Sequence, residues 1–203
     1  MSGSQGPSLR ERTRIAVRDQ IARTALVMFD ECGFDETTVD QIATAVGLSP
    51  RSFFRYFAAK EDIVLGDPMV YGEPVRASLA ENVGTMPLWD ALRAAFDPVV
   101  ATIEADPDGA LRATRVMIRT PVLRARNTEK HLAWMTLLVP VVADTLPGPG
   151  ATTAYQARAI TLAALTCLDV SHAEWVHRDG GVGIAQLLDE TFALLRPAAL
   201  TTP

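Results

Sequence analysis

The chain has 203 residues, with 19 Lys and Arg against 24 Asp and Glu for a net charge of −5, and 48% of its residues are hydrophobic. That composition can bury a core and excludes wholesale disorder, while the negative balance excludes indiscriminate polyanion binding, which needs a broad positive field. No apolar run approaches the ~20 residues that cross a bilayer, and the first residues lack a signal peptide's apolar segment. Cys32 and Cys167 are too far apart in sequence for a disulfide framework or a metal cluster. A soluble cytoplasmic protein is expected.

Apolar residues recur at three and four spacings and alternating β-branched runs are absent, so the chain reads as all-α. The first helix is predicted over 9–31, with Ile15, Ala22, Ala25, Leu26 and Phe29 inward, and Gly33 ends it. Thr38 and Gln41 are spaced as a capping box for a short helix whose Val39, Ile42, Ala43 and Val46 share one face, and Gly47 closes it. Ser49 is a good N-cap and Pro50 a good first helical residue, so a further helix is predicted to about Tyr56, with Phe53 and Phe57 filling the angle between the two short helices. Proline and glycine divide the rest into predicted helices at 60–83 (interrupted near Asp67-Pro68), 88–105, 109–119, 122–146, 152–178 and 182–195.

Two short helices around a glycine turn form a helix-turn-helix, in which the second helix enters the major groove by its N-terminal side chains. That helix must expose polar residues at its start and bury apolar ones behind. Pro50, Arg51, Ser52 and Arg55 are the expected exposed set, and Arg51 and Arg55 fall four apart, each able to bond guanine O6 and N7 bidentately. The helix start at Thr38 offers N–H groups to a phosphate, Ser49 caps the reading helix, and Tyr56 and Lys60 flank the face and suit phosphate contacts. The basic residues of the first sixty positions (Arg10, Arg12, Arg14, Arg18, Arg51, Arg55 and Lys60 among them) outnumber the acidic ones by one, whereas the remainder is net acidic by six.

The stretch Thr37-Thr38-Val39-Asp40-Gln41-Ile42-Ala43, Val46-Gly47-Leu48-Ser49, Phe53-Phe54-Arg55-Tyr56-Phe57 and Lys60-Glu61-Asp62 resembles the TetR family of bacterial transcriptional regulators. The resemblance implies a three-helix DNA-binding domain over 10–65, with its motif at 37–57, and a helical ligand-binding and dimerisation domain over 66–203. It further implies repression of a promoter, relieved by a small effector. Pro50 stands where a small residue or lysine is commoner, and Phe54 where tyrosine is, so no phosphate role is carried over to Phe54. The form Ser49-Pro50-Arg51-Ser52-Phe53-Phe54-Arg55-Tyr56-Phe57 is similar to an actinobacterial branch that includes mycofactocin-linked regulators, which ranks acyl-CoA-like effectors among the candidates.

An apolar helical pocket is the default effector site. Its candidate walls are Phe96, Val100, Met117, Trp134, Met135, Leu138 and Trp175, each of which taken singly reads first as ordinary core. Arg112, Arg115 and Arg119 make a stripe that suits an anionic head group or a solvated helix face. The family resemblance places a homodimer interface on the last two helices. Ile160, Ala163, Ala164, Cys167 and Leu168 on one, with Ile184, Leu187, Leu188, Thr191, Phe192 and Leu195 on the other, are its candidates. Two reading helices would then meet grooves about 34 Å apart on a near-palindromic duplex operator. The helix near Lys60, shared by both domains, would be the lever that the effector moves.

Both cysteines read as buried and inert, His131 and His177 as surface residues, and Asp169 with His172 as a structural hydrogen bond rather than metal ligands. No cofactor, metal, membrane association or enzymatic activity is expected. An activator or effector-independent regulator of the same fold is the alternative, and beyond it a ligand carrier with a decayed DNA-binding end.

Overall fold

The computed structural model describes residues 8–148 and 150–196. Among them the secondary structure is helical throughout, apart from one isolated bridge between Val83 and Met86, and two compact units divide between Val64 and Leu65. No described helix is long and apolar enough to cross a membrane.

The first unit holds α1 (Leu9–Cys32), α2 (Val39–Ala45), α3 (Pro50–Phe53) and all but the last residue of α4 (Asp62–Leu65). Its core is Ile21, Ala25, Leu26, Phe29, Phe34, Ile42, Ala43, Phe53, Phe57 and Ile63. Ile15, expected inward, is 49% exposed, because residues 8–16 are exposed throughout and burial on α1 starts only further along; Ile21 is the first fully buried position. Ala22 is half-buried, and Cys32, expected buried, is exposed at the helix end. The third helix is shorter than predicted. It stops at Phe53, and the chain turns on through Arg55 N–H to Ser52 O at 3.2 Å and Tyr56 N–H to Phe53 O at 2.8 Å.

The second unit holds α5 (Pro68–Asn82), α6 (Leu88–Ala94), α7 (Asp97–Ala105), α8 (Pro107–Arg119), α9 (Pro121–Ala143), α10 (Gly150–His177) and α11 (Ile184–Leu194). The predicted single helix at 88–105 is two. Pro98, at the start of α7, has no N–H to give and disfavours helical backbone before it, so the ladder breaks at Ala95–Phe96. The lever helix expected from Lys60 is likewise not continuous: α4 ends at Leu65, Gly66 takes a positive φ of 64°, and α5 starts afresh on Pro68 with Asp67 as its cap. A Cβ on Gly72 would meet the Trp134 ring at 2.9 Å, so the absence of a side chain there lets α5 approach α9 closely. Trp134 Nε1–H then donates to Pro68 O at 2.8 Å, and Trp89 Nε1–H donates to Phe192 O at 2.9 Å, so both buried indoles find partners.

The apolar faces assigned to a dimer interface are in large part internal. Ala164, Cys167, Leu168, Ile184, Leu187, Leu188 and Phe192 are all 2% exposed or less and belong to one core with Trp89, Phe96 and Trp134. The reason is that α10 is apolar on more than one side. Its outward face carries Tyr155, Ala159, Leu162, Thr166, Val170 and Ala173, all exposed, with Leu162 at 54%. Arg93, bonded to both Asp97 and Asp189, and Arg196, bonded twice to Asp90, tie the α6–α7 stretch to the end of α11.

Candidate nucleic-acid interface

The corner between α2 and α3 is built by local chemistry. Thr38 caps α2: its Oγ1 accepts from Gln41 N–H at 3.2 Å, and Gln41 Oε1 accepts from Thr38 N–H at 2.8 Å, a complete capping box. At the other end Gly47 takes φ 71° with open space around it, so glycine serves the backbone conformation rather than any close approach. Leu48 N–H donates back to Ala43 O at 2.8 Å and closes the turn. Ser49 then starts α3, its Oγ accepting from Ser52 N–H at 3.2 Å and lying 3.0 Å from Ser52 Oγ.

Behind the corner Phe53 is fully buried and Phe57 nearly so, their ring centroids 5.7 Å apart, and the Arg18 guanidinium lies 4.6 Å from the centre of the Phe57 ring. Phe54 points away, 54% exposed, its ring edge-on to Phe53. In front, Thr38, Ser49, Pro50, Arg51 and Arg55 are exposed, and Ser52 and Tyr56 half-exposed. Neither Arg51 nor Arg55 makes a side-chain hydrogen bond or ion pair among the described residues. Both arginines are thus exposed with their donors unspent. A guanidinium held there has five N–H donors in a planar fork, suited to a base edge or a phosphate.

Lys60 sits differently from the rest. Its ammonium donates to Phe34 O at 2.7 Å and Thr37 O at 3.0 Å and lies 4.2 Å from the centre of the Phe34 ring. Thr37, 1% exposed, donates from Oγ1 to Gly33 O at 2.8 Å. Lys60 and Thr37 together fasten the loop that delivers Thr38 to the start of α2. The sequence signal for this was present only as the Thr37-Thr38 pair, since Lys60 reaches back across 26 positions.

In the second unit Phe96, Val100, Trp134, Leu138 and Trp175 are buried in one core, and Met135 packs on it half-buried; Met117 is half-buried on α8, outside that set. Of the arginine stripe, Arg115 is engaged with Asp179 at 2.6 Å. Cys167 is buried, and burial pushes its thiol up to about 11. His131, expected on the surface, is 8% exposed and faces the Asp169 carboxylate at 3.4 Å, because it continues the buried stripe Leu123, Asn127, His131, Trp134, Leu138 of α9. Asp169 does not bond His172, whose Nδ1 lies 2.8 Å from Leu168 O; burial depresses the His172 imidazole to about 4. Asn127 and His131, polar residues in an apolar stripe, were a visible sequence signal that reading by residue type passed over. Among the described residues no group of three or more His, Cys, Asp or Glu could hold a metal ion.

Residues 21–66 match the model of the bacterial regulatory proteins of the tetR family, and residues 86–199 match the MftR C-terminal domain. TcmR of Streptomyces glaucescens, an HTH-type transcriptional regulator, is 40% identical over 131 residues, 61% of this chain; the match spans 58% of TcmR's own length. MftR of Mycobacterium tuberculosis (strain ATCC 25618 / H37Rv), assigned to mycofactocin biosynthesis as a transcriptional regulator, is 28% identical over 89% of this chain and 90% of its own. Among solved structures, the transcriptional regulator FadR of Bacillus subtilis in complex with stearoyl-CoA superposes with a TM-score of 0.59 at 18% identity, over 87% of this chain and 96% of that one.

Proposed function

Because the chain belongs to the tetR family of bacterial regulatory proteins, we propose that it is a homodimeric repressor that leaves a near-palindromic operator when a small effector binds its C-terminal domain. One observation carries the reading of the DNA contacts. Arg51 and Arg55 stand exposed and unpaired at the front of a corner whose back is fixed by Phe53 and Phe57. Arg51 and Arg55 read base edges, where a bidentate pair discriminates by about 1–3 kcal/mol. Thr38, Ser49, Pro50, Ser52 and Tyr56 position the corner on the backbone, which sets register rather than sequence. Lys60 acts chiefly from inside, holding the α1–α2 loop, since two of its three donors are committed to carbonyls.

The outward apolar face of α10, from Tyr155 to Ala173, supports dimerisation through the last two helices. A contiguous apolar patch of this kind on a single chain marks an interaction surface. For the effector, the core around Phe96, Val100, Trp134, Leu138 and Trp175, with Met135 packed on it, favours a largely apolar molecule. The likeness to FadR with stearoyl-CoA and to MftR supports the acyl-CoA-like class and the mycofactocin-linked branch. The effector would act by binding the operator-incompatible conformation more tightly, and it shifts the balance only by that difference in affinity.

Footprinting on DNA upstream of the chain's own gene and its neighbours tests this reading. A protected inverted repeat, lost on addition of a host metabolite extract, is the expected result, and a reporter that rises when the gene is deleted gives the sign of regulation. Absence of any protected site would overturn it.

A further inference from the structure

Three buried side-chain atoms have no hydrogen-bond partner among the described residues: Asn127 Oδ1, His131 Nε2 and Thr161 Oγ1. Such groups cost free energy when left unpaired, and each asks what it serves. Asn127 and His131 lie one turn apart on the buried face of α9, each 8% exposed, and Asp169 of α10 faces both. Asn127 Nδ2–H donates to Asp169 Oδ1 at 3.1 Å, and His131 Nδ1 lies 3.4 Å from Asp169 Oδ2.

The carboxylate fixes the chemistry of the two atoms left over. An ionised Asp169 only accepts, so the Asn127 amide must turn its NH2 toward it and its oxygen away, and His131 must carry its proton on Nδ1. Burial, opposed by Asp169 and aided by the nearby Lys130, lowers the His131 pKa and keeps the ring neutral. His131 Nε2 is then a bare lone pair. Asn127 Oδ1 and His131 Nε2 are therefore two unspent acceptors on adjacent turns. Close by, Lys130 Nζ lies 5.2 Å from the centre of the Trp134 ring, and His172 Nδ1 is engaged with Leu168 O. Thr161, two turns before Asp169 on α10, is fully buried yet does not bond back to the carbonyl four residues earlier, as Thr114, Thr166 and Thr191 do.

We infer that Asn127 and His131, oriented by Asp169, recognise the polar group of the effector, and that this group is a neutral hydrogen-bond donor such as a hydroxyl. A carboxylate set against these two atoms would meet two lone pairs beside the Asp169 carboxylate, which the Lys130 ammonium already faces, and a purely apolar ligand would leave both acceptors unpaired. The inference rests on the reading that this domain takes an effector, and it specifies the effector's chemistry.

Matched one-ring probes test it on the full-length protein. The melting temperature is recorded with phenol, toluene and benzoate at equal millimolar concentrations, for the wild-type chain and for Asn127→Leu and His131→Phe. Phenol is expected to raise the wild-type melting temperature at least twofold more than toluene, with benzoate no better than toluene. Each variant should narrow the gap between the phenol and toluene shifts, and in the doubly substituted chain the two should become equal. Equal wild-type shifts, a larger shift with benzoate, or a phenol preference that survives both substitutions would each overturn the inference. The wild-type comparison decides even if a variant does not fold. Operator binding measured on the same wild-type sample separates the two claims: no operator binding sinks the regulatory reading alone, whereas intact operator binding with equal probe shifts sinks this one alone.

Discussion

In the first unit the interior polar groups are paired. Thr37 bonds to Gly33 O, and Lys60 to Phe34 O and Thr37 O. In the second unit Asn127, His131 and Thr161 each keep a buried atom without a partner. The first unit holds its capacity on the outside, in two unpaired arginines; the second holds it on the inside. A surface presented to a duplex needs a rigid back, and the bonds of Thr37 and Lys60 serve that rigidity. A domain that takes up a small molecule can leave acceptors unspent, at a cost in stability, for the molecule to satisfy.

Substitutions can break or sharpen this contrast. The largest effect is expected from Leu162→Glu on the outward face of α10, which would place a charge in the proposed dimer contact of each copy, on the order of 3 kcal/mol apiece. Sedimentation should then show monomer where the wild-type chain is dimeric, and an unchanged dimer would move the interface elsewhere. Next is Phe53→Ala. Deleting a fully buried ring behind the corner should cost about 3–5 kcal/mol, seen as early unfolding of the first unit in a denaturant titration. Lys60→Met should lower stability by about 2 kcal/mol, since two charge-assisted bonds to carbonyls are lost. The salt dependence of operator binding separates its roles: an unchanged slope fits a residue acting from inside, whereas a slope reduced by about one marks a phosphate contact.

A separate effect is read against pH. The His172 imidazole is depressed to about 4 in the folded chain from an ordinary 6.5, chiefly by burial. Between those values the unfolded chain binds the proton and the folded chain does not, so stability falls as pH drops from about 6.5 to about 4 and this group adds no further loss below. A loss of roughly 3 kcal/mol, recorded as melting temperature against pH, should shrink in His172→Phe if that variant folds, leaving the part that His131, lowered by the same burial, contributes.

The contrast also explains what the sequence disclosed. The corner from Thr38 to Phe57 was legible because its determinants are local: a capping box, a glycine stop, a serine cap followed by proline, and two phenylalanines four apart. Its third helix was overextended because an N-cap and a proline announce where a helix starts, while nothing near Phe54 announces an end. The second unit was legible as helices but not as faces. The α10 helix is apolar on two sides, so once the family resemblance places the dimer interface on the last two helices, the pattern does not separate Ala164, Cys167 and Leu168, which serve the chain's own core, from the outward face. The Asn127–Asp169 contact joins residues 42 positions apart on different helices, beyond any local pattern.

Quantitative operator binding by Arg51→Ala, Arg55→Ala and the double variant is the most direct test of the account's central claim, that these two side chains read the duplex. Each single change should weaken operator affinity by about 1–3 kcal/mol and relax sequence preference, with the melting temperature unaltered because neither arginine has a partner within the described residues. Unaltered affinity and preference in the double variant would contradict the claim.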